Sequence, residues 1–137
     1  MPAIPATIFP TMKIRIQGNS VRLRLSQQEV ARLSSLGIVE ESIRFGTNPD
    51  DTLLYALSKS TTKHMDASFH QHRISILVPT PWADDWAASD QVGMEGSVPV
   101  GPNETLRILV EKDFQCPKPR PGEDDSDLFP HPDKSVC

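Results

Sequence analysis

Four cations at alternating positions, Lys13, Arg15, Arg22 and Arg24, carry the clearest chemistry in the chain. Spaced by two on either side of Gly18-Asn19-Ser20, they fall on one face of an expected hairpin. Like charges facing each other across strands repel, so this face requires an anionic counterpart. The candidates are a phosphate-bearing ligand, a DNA backbone, or the chain's own acids: Glu111, Asp113 and the run Glu123-Asp124-Asp125-Ser126-Asp127. Pairing with those acids on a solvated face is the more ordinary arrangement, since most ion pairs are structural.

A second set of groups could hold a divalent metal. Glu111, Asp113, Cys116, His131 and Cys137 bring hard and soft ligands into the last quarter of the chain. Zinc takes about four such ligands in a tetrahedral array. No Cys-x-x-Cys or His-x₃-His spacing is present, and Asp124-Asp125-Ser126-Asp127 lacks the glycine and closing glutamate of a calcium loop. Incidental thiols on an inert tail are the commoner explanation. His70 and His72, two apart on an expected strand, would point the same way. Trp82 and Trp86, four apart on an expected helix, share a face that either stacks on a ligand or is simply buried. No nucleophile elbow, phosphate loop or dinucleotide fingerprint occurs, so an enzyme reading has no positive warrant.

Composition narrows the classes. With 137 residues, 23% charged and 37% hydrophobic, one folded domain is expected, flanked by irregular sequence in which many of the 13 prolines lie. A formal charge of −4 disfavours a general nucleic-acid binder but not a local basic patch. No export signal and no run of about 20 apolar residues is visible, which predicts a cytoplasmic protein without a membrane partner. Two cysteines cannot build a disulfide framework. Oligomerisation is left open.

The elements that must position these groups follow from periodicity. Lys13–Gln17 and Val21–Leu25 alternate as strands, with Ile14, Ile16, Val21, Leu23 and Leu25 on the apolar face. Ser26 with Glu29 has capping-box spacing, Val30 and Leu33 supply a helical stripe, and Gly37 marks the stop. Strands are expected over 38–45, 52–58, 67–70, 73–78, 92–100 and 105–112. A second helix should open at Thr80-Pro81, with Thr80 as N-cap.

Residues 21–59 and 74–112 are equal in length, and each reads strand, helix, strand, turn, strand. Pro49-Asp50-Asp51-Thr52-Leu53 falls on Pro102-Asn103-Glu104-Thr105-Leu106, and Lys59 on Lys112. Two β-α-β-β repeats behind a leading hairpin strand predict an α+β fold: a mostly antiparallel, barrel-like sheet with two short helices. Residues 1–11 are expected to be a disordered extension, residues 12–114 the domain, and residues 115–137 a Pro-rich acidic tail or an arm packed through Phe114, Leu128 and Phe129.

Met12-Lys-Ile-Arg-Ile-Gln-Gly-Asn-Ser-Val-Arg-Leu-Arg-Leu-Ser26, with Glu111-Lys112-Asp113-Phe114-Gln115-Cys116 and the later Glu-Asp-Asp-Ser-Asp-Leu-Phe-Pro-His-Pro, resembles a small family of uncharacterised bacterial proteins. The resemblance runs from Met12 to Pro132 and implies that the tail belongs to the protein, but it assigns no residue roles. Lys13 to Ile38 also resembles AbrB/MazE-type swapped-hairpin domains, which bind DNA as dimers. Ser26 stands where that family usually has proline.

The leading expectation is a small binding or regulatory domain that engages an anion through the basic hairpin face. One alternative is a hydrolase or transferase for a phosphorylated substrate, with the four cations on phosphate and Glu111 or Asp113 on a divalent ion inside a barrel. The other is an AbrB-like DNA-binding regulator.

Overall fold

The computed structural model describes residues 11–115 and 126–130. Its strands are β1 (Lys13–Gln17), β2 (Ser20–Leu25), β3 (Ile38–Arg44), β4 (Thr52–Ser60), β5 (Asp66–His70), β6 (Arg73–Pro79), β7 (Gly93–Gly101) and β8 (Glu104–Lys112). Helix α1 (Gln27–Leu36) joins β2 to β3, and α2 (Thr80–Ala88) joins β6 to β7. The chain is α+β, with two four-stranded sheets in the orders β1-β2-β8-β7 and β3-β4-β6-β5. In each, antiparallel hairpins flank a central parallel pair, β2 with β8 and β4 with β6.

The sheets do not close into a barrel, which corrects the expectation from sequence. No ladder joins β1 to β3 or β5 to β7. Both helices connect strands at one end, leaving all four hairpin turns at the other. Between the sheets at the helix end, Leu23, Leu25, Leu33, Leu57, Ile76, Trp86, Ile108 and Val110 are fully buried. Each large apolar side chain so buried is worth about 1.5–3 kcal/mol. Toward the turns the inner faces are left uncovered: Ile16 is 62% and Phe69 70% exposed, although strand alternation places both inward. Ile16 therefore does not join the core with Ile14. Edge strands β1 and β3 carry Lys13, Arg15, Glu40, Glu41 and Arg44, charges that discourage further strand pairing.

Local signals explain most boundaries. Ser26 and Glu29 form both bonds of the capping box, and Gly37 ends α1 at φ 83°, a left-handed conformation that glycine adopts without a Cβ penalty. Gly96 is required for contact, since a Cβ there would meet the Sδ of buried Met65 at 2.8 Å. Helix α2 departs from the expected cap. Pro79 occupies the N-cap position and Thr80 is already helical; its hydroxyl donates to the Ser60 carbonyl at the end of β4 (3.1 Å). Of the two tryptophans only Trp86 is buried, donating from Nε1 to the Val92 carbonyl, while Trp82 is 38% exposed.

The β5–β6 connection is also unexpected. Gln71 and His72 have φ of 49° and 62° and form a two-residue turn between β5 and β6, so His72 is not on a strand with His70. Positive φ at both central residues is the type I′ pattern, for which Asn-Gly is preferred. Left-handed backbone costs an ordinary residue about 1–2 kcal/mol.

Residues 126–130 return to the domain. The Asp127 carbonyl accepts the Gln27 amide (2.9 Å), and the Asp127 carboxylate lies 3.3 Å from the Gln28 amide at the start of α1. Anionic groups there complement the helix dipole. Leu128 is fully buried, and Phe129 meets Phe114 edge-on at 6.0 Å. Leu128→Ala should therefore lower the unfolding free energy by about 2–5 kcal/mol in urea. An unchanged midpoint would show that this segment contributes no core.

Candidate anion-binding site

The basic hairpin forms because alternation in β1 and β2 sends Ile14, Val21, Leu23 and Leu25 inward and the cations outward. In register, Lys13 stands opposite Arg24 and Arg15 opposite Arg22. The parallel β2–β8 pairing then sets Glu111 beside Arg24 and Leu109 beside Arg22. All four cations share the outer face of the first sheet. They do not line an interior, as a phosphate site inside a barrel would require.

Two of the four have acidic partners. Lys13 Nζ lies 2.9 Å from Asp113 Oδ2, whose side chain is 6% exposed. The Asp113 amide extends the β2–β8 ladder by donating to the Leu25 carbonyl (2.8 Å). Arg22 Nε lies 2.9 Å from Glu111 Oε1. That contact is ionic and not an aligned hydrogen bond, because Oε1 is buried with no donor of suitable geometry. On the same face, Arg107 pairs with Glu95 at 2.7 Å. Among the described residues, Arg15 and Arg24 have no acidic partner. Asp127, the described acid of the tail run, sits on α1 and not on this face.

Glu111 and Asp113 are thus engaged with cations, and among the described residues no three His, Cys, Asp or Glu side chains are placed to hold a metal. Cys116, His131 and Cys137 lie outside the described residues. No helix among the described residues is long and apolar enough to cross a membrane.

Sequence reasoning missed the burial of a carboxylate in the first turn of α1. Glu29 is 2% exposed, its Oε1 accepts the Ser26 amide, and its Oε2 is buried without a hydrogen bond. Burial pushes its carboxyl above the ordinary 4.5; the Ser26 hydrogen bonds oppose this, and the Glu41 charge adds to it. The Tyr55 hydroxyl donates to the Met12 carbonyl (2.7 Å), and its pKa is raised by burial, then by Glu41 and Glu29. The only sequence signal here was the capping-box glutamate, whose burial is a result of tertiary packing around the start of α1. Lys112 is also buried: its Nζ donates to the Ser89 carbonyl (2.6 Å) and sits 5.8 Å from the centroid of Trp86. Burial lowers its pKa, against a smaller upward pull from Asp90.

These environments set two expectations. Lys13→Met leaves the Asp113 carboxylate buried without its cation and should cost about 1–3 kcal/mol in urea. Arg24→Met should stay within about 0.5 kcal/mol of the parent; equal losses would show that Arg24 is structural too. For Glu29, a raised native pKa means the folded state holds the proton more tightly. Its stability contribution is full below the unfolded value and is lost as pH rises through the native one. Glu29→Gln keeps the capping-box acceptor and should gain stability relative to the parent as pH rises above the ordinary carboxylate value. A pH-independent difference would contradict the raised pKa.

Residues 12–133 match the model of the family of unknown function DUF7009, and the chain belongs to that family. The match includes the tail segment that packs on α1. No curated protein and no solved structure matches the chain.

Proposed function

We propose that this domain is a binding module for a phosphate-rich anion, which docks on the outer face of the first sheet. The observation that carries the reading is the division of labour among the four hairpin cations: Lys13 and Arg22 have acidic partners, while Arg15 and Arg24 stand opposite and beside them with none among the described residues. Guanidinium groups present a planar fork of donors that suits phosphate oxygens. Arg15 and Arg24 lie on neighbouring strands, one register step apart on the same face, and would grip a multivalent anion together. The acids at Glu111 and Asp113 keep Arg22 and Lys13 extended and lower the repulsion that four unpaired cations would create.

Under the same reading, residues 21–59 and 74–112 are two copies of one unit. Support comes from pairing and from a shared lysine. Exchanging the two halves turns the β2–β8 parallel pair into β6–β4, which is also parallel. Lys59 and Lys112, which coincide in the ungapped alignment, each donate to a carbonyl at the C-terminal end of their own unit's helix, Ser34 and Ser89.

Calorimetric titration with inorganic tripolyphosphate at low salt tests the docking. The parent should bind saturably, and Arg15→Gln with Arg24→Gln should weaken binding about tenfold or more, since each lost charge-assisted contact is worth about 1.5 kcal/mol or above. Affinity should fall as added salt screens the face. No saturable heat at low salt, or equal binding by the double variant, would remove the proposal. A 20-base-pair duplex bound far more tightly than tripolyphosphate through the same two arginines would reassign the face to nucleic acid.

A further inference from the structure

A cleft on the other sheet, at the turn end, does not involve the basic face. About 640 Å³ in volume, it is lined by Arg44, Pro49, Asp50, Thr52, Leu54, Gln71 and His72. That volume falls within the range of small-molecule sites. Three connections build it: the end of β3, the short 3₁₀ turn Pro49–Asp51 that leads into β4, and the β5–β6 turn.

Two features separate this cleft from an ordinary surface depression. The first is backbone strain. Gln71 and His72 hold left-handed φ in a turn for which glycine and asparagine are the unstrained choices, and both line the cleft. The conformation is fixed by the hairpin register and by the Leu54 amide donating to the His72 carbonyl (2.9 Å). Side chains retained at such a cost point to a use for them. The second is charge. Arg44 and Asp50 line the same cleft with opposite sign, yet they form no ion pair with each other or with any other described residue. Both are exposed; among the described residues Arg44 donates to the Thr47 carbonyl (3.2 Å) and the Asp50 carboxylate has no hydrogen-bond partner, its amide being bonded to Asn48.

We infer that this cleft binds a small zwitterion, an α-amino acid with an apolar side chain. Its carboxylate is taken by Arg44 with His72 and Gln71 as further donors, its ammonium by Asp50, and its side chain rests on Pro49 and Leu54. A simple anion would meet Asp50, and a simple cation would meet Arg44. A ligand carrying both charges pairs with both side chains.

The test is an amide-resolved NMR titration of the full chain with three probes that share one ring: L-phenylalanine, 3-phenylpropanoate, which lacks the ammonium, and phenethylammonium, which lacks the carboxylate. Phenylalanine should saturate, with shifts centred on residues 44–54 and 71–72, and the other two should bind about tenfold or more weakly, since each leaves one charge unpaired. Arg44→Gln should reduce phenylalanine to the level of phenethylammonium, and Asp50→Asn to the level of 3-phenylpropanoate. His72→Gly relieves strain, so it should raise the melting temperature while weakening phenylalanine binding. The proposal is overturned by absence of saturation, by equal affinity for the three probes, by shifts centred elsewhere, or by a stabilised His72→Gly variant with unchanged affinity.

Discussion

The parallel pairing of β2 with β8 is the constraint on which the remaining structure depends. It joins the first hairpin of the chain to the last, across a sequence separation that no local signal spans. Because β2 and β8 run together toward the helix end, the helices that follow β2 and β6 meet between the sheets and bury Leu33 and Trp86. The same pairing carries Glu111 and Asp113 to the basic hairpin. Asp113 fixes the end of the ladder through its amide and faces Lys13 through its carboxylate. One pairing decision therefore sets the core, the helix positions and the electrostatics of the outer face.

That electrostatic outcome is asymmetric. Half-buried acids beside Lys13 and Arg22 make those cations part of the framework, because removing either partner strands a charge in a partly dry environment. Arg15, exposed on the edge strand, and Arg24 have no such obligation among the described residues. A net charge of −4 and a local cationic patch are compatible because screening confines each field to roughly 10 Å at moderate salt.

The open form of the molecule follows from its ends. At the helix end Val30 and Leu33 of α1 and Ala83 and Trp86 of α2 join the core built by the two sheets. At the turn end nothing comparable does, and Ile16 and Phe69 stand exposed on inward positions. A barrel would need β1 to pair with β3 and β5 with β7. Met65, seated against Gly96, brings β5 and β7 near each other through side-chain contact, without a backbone ladder. The strained β5–β6 turn lies at this less constrained end, where a residue pair unsuited to type I′ geometry is held by register.

Local order was legible in the sequence because its causes are local. Alternation in Lys13–Gln17 and Val21–Leu25 and the capping box at Ser26–Glu29 act within a few residues, as does the left-handed stop at Gly37, and these stand where the pattern placed them, with Ser20 of the expected turn added to the second strand. Thr80 is not the cap because it already lies inside the helix, with Pro79 before it at the N-cap position and its hydroxyl donating to Ser60 on a neighbouring strand. Closure of the sheets failed because strand count says nothing about which edges meet. Periodicity placed the four cations on one face, but only the β2–β8 register decided which of them meet acids. The Arg44–Asp50–His72 cleft left no trace in sequence at all. Its residues come from three connections, and what unites them is the tertiary approach of β3, β4 and β6, together with a backbone conformation that Gln71 and His72 do not choose for themselves.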